Sequence, residues 1–200
     1  MIHQSKQKMD SKPLTPEQSL ALITQVIGEA KIKFEENGVI YSMWGAMLAG
    51  AALFQYAMLK NDQAEISFYG YFLLPLAALF SWYYYAKRRT GKKNQVSTNI
   101  SISWGIVSLN LMVLGFFFHS VLQENLTPLL LILMGIGTAI SGSLVRSQLI
   151  LIAGLLLNVS GFICFQLDWI NHPLLLGVSA ILFILVPGLL LMAKYQRKNV

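Results

Sequence analysis

Long runs without a charged side chain divide this sequence, and they limit what it can fold into more than any other feature. The first run, residues 39–59, holds roughly 21 residues and no Asp, Glu, Lys, Arg or His. A helix of about 20 apolar residues crosses a hydrocarbon core roughly 30 Å thick. We predict a transmembrane helix here and in five later runs: 66–86, 100–122, 128–145, 148–167 and 173–193. The predicted fold class is all-α, a polytopic membrane bundle of six helices.

Composition supports a membrane location and argues against nucleic acid as a partner. The chain is 55% hydrophobic and 12% charged, whereas a soluble domain carries about 25% charged residues. Its net charge is +6, but the basic residues cluster at the ends of the apolar runs and not along one soluble face. Membrane lipids are therefore the first partner that we expect.

A cluster of basic residues between the second and third runs sets the predicted orientation. It comprises Lys87, Arg88, Arg89, Lys92 and Lys93. Because Lys and Arg that flank membrane spans stay on the cytoplasmic side, this loop is predicted to be cytoplasmic. Six spans then leave 14 of the 15 Lys and Arg residues on that side, with Lys60 alone opposite. We predict a multi-pass protein whose two termini are both cytoplasmic, with a disordered tail at 1–14 and a basic tail at 194–200.

An amphipathic helix is predicted ahead of the first span, within residues 15–38. Thr15 fits an N-cap, Pro16 the first helical position, and Gln18 the return bond of a capping box. Asn37-Gly38 is expected to form the C-cap. The apolar residues recur at three- and four-residue steps: Leu20, Ile23, Ile27, Ala30 and Phe34. Because the helix carries both acidic and basic residues, we expect it to dock on protein at the cytoplasmic face more readily than on anionic lipid.

Two amide side chains form the candidate polar site inside the predicted spans. Asn110 lies near the middle of the third span and Asn158 near the middle of the fifth, so both are expected close to the bilayer midplane. One interpretation is a polar substrate site, to which Pro75 adds the freed carbonyl of Tyr71. The other is an interhelical hydrogen bond worth about 0.6 kcal/mol. The second interpretation is the commoner one for amides without a charged neighbour.

Small residues form stripes along four of the predicted spans. Such stripes let helix backbones approach closely in lipid. On the third span they occupy two faces, which predicts that this helix is central in the bundle. Packing within one chain explains all four stripes, and a homodimer formed through one of them is the alternative. The stripes are Ser42, Gly45, Ala49 and Ala52; Ser101, Gly105, Ser108 and Gly115; Gly135, Thr138 and Gly142; and Gly154, Asn158 and Gly161.

Pro187 and Gly188 interrupt the sixth span in its inner third. A proline here leaves the carbonyl of Phe183 without its usual helical partner. The pair forms either a fixed kink or a hinge, and a kink is the commoner role of Pro and Gly in membrane helices.

No residue pattern predicts an enzyme, a cofactor or a metal site. The predicted spans hold no ionisable residue well inside them, although proton relays, ion pathways and intramembrane hydrolases depend on such groups. His119, Glu124, Asp168 and His172 fall in two outer loops and are residue types that bind zinc. Polar residues that flank spans are routine, so we predict no catalytic residue, no cofactor and no metal ligand.

Six short segments, spread over most of the chain, together form one pattern. They are Ser19–Ile23, Asn37-Gly38, Tyr41–Gly45, Thr127–Leu129, Gly135–Gly137 and Leu185–Gly188. In these segments the sequence resembles a family of small, uncharacterised bacterial integral membrane proteins. The resemblance implies six spans, an N-terminal amphipathic helix and the bacterial inner membrane, and it implies no activity.

These observations favour a non-enzymatic integral membrane protein that acts through protein or lipid contacts, as an interaction, scaffold or regulatory subunit. The alternative is a facilitator or channel-like transporter of a small uncharged solute, with Asn110 and Asn158 at its site. A water-filled cavity that reaches both amides would distinguish the transporter from the interaction protein.

Overall fold

The chain folds into helices joined by short turns. The computed structural model describes residues 15–36, 38–87 and 95–198. Helix accounts for 93% of these residues, and they contain no strand. The α-helices of the described ranges are α1 Pro16–Glu36, α2 Gly38–Lys60, α3 Leu73–Lys87, α4 Gln95–Phe117, α5 His119–Leu122, α6 Leu126–Leu144, α7 Gln148–Cys164, α8 His172–Ala180 and α9 Val186–Lys198. Shorter turns lie between them: 3-10 helices at Ala64–Phe72, Gln123–Asn125 and Trp169–Asn171, and a π-helical turn at Ile181–Leu185.

Five helices of the described part are long and apolar enough to cross a membrane, as expected of a multi-pass membrane protein. They are Gly38–Lys60, Ala64–Lys87, Gln95–Phe117, His119–Leu144 and Trp169–Arg197. The remaining apolar helix, α7, has 17 residues. At 1.5 Å per residue it is about 25 Å long.

Two pairs of packed helical segments run antiparallel, α2 with α8 and α9, and α4 with α6. A Cβ built on Gly45 of α2 would lie 2.5 Å from the Leu185 nitrogen, and one on Gly177 would lie 2.8 Å from the Leu53 side chain. The start of α2 therefore meets the end of the α8–α9 rod. The Trp104 indole donates to Ser141 Oγ at 2.9 Å, so α4 starts where α6 ends. The loops of the described residues consequently fall at the two ends of the bundle.

The two ends differ in charge among the described residues. The end at which α2 begins carries exposed basic side chains: Lys87, Arg146, Lys194 and Arg197. The opposite end carries one base and four acids: Lys60, Asp62, Glu65, Glu124 and Asp168. Lys60 Nζ lies 5.7 Å from the centroid of the Tyr56 ring, which is a cation–π contact at this mainly acidic end.

The buried core is formed by α2, α6, α7 and α8 with the π-helical turn, and α3 and α4 lie outside it. The core residues are Leu48, Ala49, Ala52, Leu131, Leu157, Cys164, Leu176, Ala180 and Ile184. By contrast, the buried set on α3 is Ala77 alone and on α4 Val107 alone. The prediction that the third span is central is therefore wrong. Its two polar faces do not correspond to two packed faces.

Several predicted boundaries also differ from the structure. The second span does not begin as an α-helix, because Ala64–Phe72 forms a 3-10 helix before α3. The third span begins earlier than predicted, at Gln95, because polar side chains bond within the helix: Gln95 Nε2 donates to Asn99 Oδ1 at 3.2 Å. The chain then bends at Phe118 before the short α5.

The start of α1 matches its prediction. The Thr15 amide donates to Gln18 Oε1 at 3.1 Å, and the Gln18 amide donates to Thr15 Oγ1 at 3.3 Å. This reciprocal pair is the predicted capping box. The predicted tail at 1–14, the cap at Asn37 and the basic residues Arg88, Arg89, Lys92 and Lys93 lie outside the described residues.

Candidate functional site

Three of the four small-residue stripes pack inside the chain. A Cβ built on Gly135 of α6 would lie 2.5 Å from the Asn158 nitrogen, and one on Gly161 of α7 would lie 2.6 Å from Ile132 Cγ1. A Cβ built on Gly188 of α9 would likewise lie 2.5 Å from Oγ of Ser42 on α2. Because real Cβ atoms do not approach so closely, these contacts require glycine. The stripes of α2, α6 and α7 are thus explained by the fold itself.

The stripe on α4 is different, because it has no neighbour in the described part of the chain. Nothing lies within 4 Å of a Cβ built on Gly105 or on Gly115. Ser101 and Ser108 are exposed as well. The stripe recurs at three- and four-residue steps, so these residues share one face of the helix. A membrane helix therefore presents a small, weakly polar face to its surroundings.

A separate face of α4 holds this helix to the bundle. Trp104 bonds to Ser141, and Val107 is 6% exposed, with its Cγ2 atom 3.1 Å from a Cβ built on Gly137 of α6. Gly105 and Ser108 each follow one of these residues, so the stripe lies about 100° around the helix from the packed face. Contact with α6 consequently leaves the stripe accessible.

The structure does not join the two predicted amides by a hydrogen bond. Asn158 is half-buried, and its Nδ2 donates to the Ile132 carbonyl of α6 at 3.1 Å. Asn110 is exposed, and its Nδ2 donates to the Ile106 carbonyl of its own helix at 2.8 Å. Asn158 thus links two helices, whereas Asn110 satisfies its own backbone. Whether either residue contacts a solute stays a prediction.

The two proline sites coincide with changes of helix type. Pro75 is the third residue of α3, directly after the 3-10 helix, and the Leu73 amide donates to the Tyr71 carbonyl. That carbonyl is therefore not the free group that the sequence predicts. Pro187 is the second residue of α9 and follows the π-helical turn. Since Gly188 packs tightly against α2, the contact favours a fixed kink over a hinge.

The outer residues of zinc-binding type do not converge. Among the described residues no group of three or more His, Cys, Asp or Glu side chains is placed to hold a metal ion. His119, Glu124 and Asp168 are exposed. His172 is 5% exposed and directs both ring nitrogens at backbone carbonyls. Neither nitrogen is therefore directed at a metal position.

Two surface grooves of the described part are lined by residues other than Asn110 and Asn158. One has a volume of about 380 Å³ and is lined by Gly50, Phe54, Tyr69, Gly70 and Leu73. The other has a volume of about 420 Å³ and is lined by Phe80, Tyr83, Tyr84 and Lys87. The first is apolar, and the second lies at the basic end, where aromatic residues and lysine meet the membrane surface.

Sequence reasoning missed several polar links between helices. Trp44 Nε1 donates to Ser81 Oγ at 2.9 Å, which fastens α3 to α2. Tyr71 Oη donates to Gln55 Oε1 at 2.8 Å, and Gln55 is 9% exposed. The sequence signal for these links is the Trp and Tyr residues within the spans, since a buried indole or phenol group requires a hydrogen-bond partner.

Comparison of the chain with protein-family models, with curated proteins and with solved structures gave no match. The resemblance to a family of bacterial membrane proteins therefore stays a prediction.

Proposed function

We propose that this chain is a non-enzymatic integral membrane protein with six spans that acts through protein contacts within the membrane, and that the exposed stripe of α4 is the contact surface. The observation that carries the proposal is the open space around Gly105 and Gly115. Helices in lipid associate through close backbone packing of small residues, because lipid tails supply no hydrophobic driving force between helices. The chain uses its other stripes in this way internally.

The six-span arrangement makes α7 a sixth membrane helix. Its 17 residues lie at the lower limit for a span. It packs antiparallel along α6 with glycine contacts near both ends, at Gly142 and Gly161. The positive-inside rule then puts the basic end in the cytoplasm, together with the start of α2 and the end of α9. The bacterial inner membrane is the location that we propose.

The amphipathic helix α1 is part of the cytoplasmic face in this proposal. Leu20 is 66% exposed and Ile23 is 53% exposed, while Val26 and Ile27 are half-buried. The helix contacts α9 and α4. We therefore propose that its first turns offer a second contact surface for a protein partner. A facilitator for a small uncharged solute stays the alternative, and no cavity described above favours it.

Crosslinking of the full chain in native membranes tests the α4 surface. With Cys164→Ser as background, Ser108→Cys should form an oxidative disulfide to the same cysteine of a second copy, whereas Val107→Cys, which faces α6, should not. Gly105→Leu should abolish the crosslink and leave the thermal unfolding midpoint of the purified protein unchanged, because the new side chain meets nothing in the monomer.

A matched lipid-facing position completes the test. Phe162 of α7 is 58% exposed and belongs to no small-residue stripe. A photo-crosslinking amino acid at 108 should give a discrete protein adduct that is missing at 162. Equal patterns at 108 and 162 would contradict the proposal.

A further inference from the structure

His172 connects three segments at the acidic end of the bundle. It begins α8 and is 5% exposed. Its Nδ1 lies 2.9 Å from the carbonyl oxygen of Glu124, in the turn before α6. Its Nε2 lies 3.0 Å from the carbonyl oxygen of Leu167, in the loop after α7. One imidazole ring, on the first residue of α8, therefore contacts both the turn before α6 and the loop after α7.

Both groups that face the ring are hydrogen-bond acceptors. A backbone carbonyl oxygen cannot donate, so each ring nitrogen needs its own N–H to bond here. Neutral imidazole has one N–H and one bare nitrogen, whereas imidazolium has two N–H groups. At about 3 Å, a bare nitrogen would point its lone pair at the carbonyl oxygen, which is repulsive and leaves a buried acceptor unsatisfied. Only the protonated ring satisfies both contacts.

The other titratable groups near this junction are few and mostly exposed. The segments that pack around His172 contribute Lys60 at the end of α2, Glu124 before α6, and Asp168 before α8, all with exposed side chains. α6 and α8 contribute no further charged side chain, and α7 adds the buried Cys164 thiol. In the described part of the chain no ion pair involves His172. The two carbonyls are thus the specific partners of its ring.

We infer that His172 is a proton-dependent latch, whose charged ring ties the loop before α6 to the loop after α7 and whose neutral ring releases one of the two carbonyls. The proton exchanges with the solvent at the acidic end of the bundle. Histidine changes charge between about pH 5 and 8. Because protonation supplies the second donor, the latch is closed at low pH and its stabilising effect falls as the pH rises.

Imidazole ¹⁵N NMR of the full chain in lipid nanodiscs tests the latch directly. The chain holds three histidines, so His172 signals can be assigned as those that remain in the double variant His3→Gln, His119→Gln, which keeps His172 itself. At about pH 5 we expect two ring N–H signals from His172, both protected from exchange with solvent. A bare nitrogen on His172 at that pH, when the exposed His119 carries both protons, would overturn the inference.

Thermal unfolding gives an independent readout. A glutamine at 172 has one amide NH₂ group and cannot reach both carbonyls. Hydrogen bonds from a charged donor are roughly twice as strong as neutral ones, so we expect His172→Gln to lower the unfolding midpoint about twice as much at pH 5 as at pH 8. His119→Gln is the matched control and should show no such difference. An equal loss at both pH values would mean that His172 is only a packing residue; a variant that fails to fold leaves the NMR measurement of the native chain to decide.

Discussion

At the residue scale, single polar bonds connect helices that share little buried surface. Trp44 fastens α3 to α2, and Trp104 fastens α4 to α6, each through its indole N–H and a serine 37 positions later. Ser141 also donates to the Gly137 carbonyl of its own helix at 2.9 Å. Asn110 and Asn158 stand out in the sequence because amides are the most polar groups in the predicted spans. Only Asn158 proves to join two helices.

A double-mutant cycle on Trp104 and Ser141 measures this attachment. Trp104→Phe and Ser141→Ala each remove one partner of the bond. We expect a coupling of about 0.6 kcal/mol in the free energy of unfolding, the average for interhelical bonds in membranes. Trp44→Phe with Ser81→Ala forms the matched cycle on the other side of the bundle. Additive effects in both cycles would show that the indole bonds do not hold the outer helices.

At the element scale, length and charge predict where helices occur, but they do not predict which face of a helix packs. The sequence correctly predicted Thr15 as the cap of α1 and a long helix over the uncharged run of α2. Capping chemistry and the length of an apolar run are local properties of the sequence. The outer position of α4 was not predicted. Lipid is as apolar as a protein core, so a packed face and a lipid-exposed face of a helix can be equally hydrophobic. Pro75 and Pro187 mark where the helix type changes, but proline chemistry alone does not predict that a 3-10 helix or a π-helical turn precedes them.

The α6–α7 hairpin is the element that should tolerate least change. A Cβ on Gly154 would meet the Ala139 backbone, with Gly135 O only 2.9 Å away. Gly154→Val should therefore lower the free energy of unfolding by about 1–3 kcal/mol, the usual cost of overpacking. Gly115→Val on α4, where nothing lies within 4 Å, is the control and should be near neutral. Denaturant unfolding in detergent compares them, and equal losses at the two positions would contradict the packing described for this hairpin.

At the scale of the whole molecule, antiparallel helices sort the charges to two ends. Basic residues such as Lys87 and Arg197 gather at one end, and acids such as Glu65 and Asp168 at the other. The sequence predicted this separation, because the basic residues that flank membrane spans remain in the cytoplasm. The length of α7 was predicted less accurately, because the apolar run continues beyond Cys164, where the helix ends. The number of spans, six or five, depends on whether α7 crosses the membrane.

Cysteine accessibility on the two sides of α7 tests the six-span architecture most directly. Gln148 and Gln166 flank this helix, and both are exposed. In a Cys164→Ser background, Gln166→Cys should react with a membrane-impermeant maleimide in intact spheroplasts, as Asp62→Cys should. Gln148→Cys should react only after lysis, as Gln196→Cys should. Labelling of Gln148→Cys and Gln166→Cys from the same side would contradict the six-span architecture.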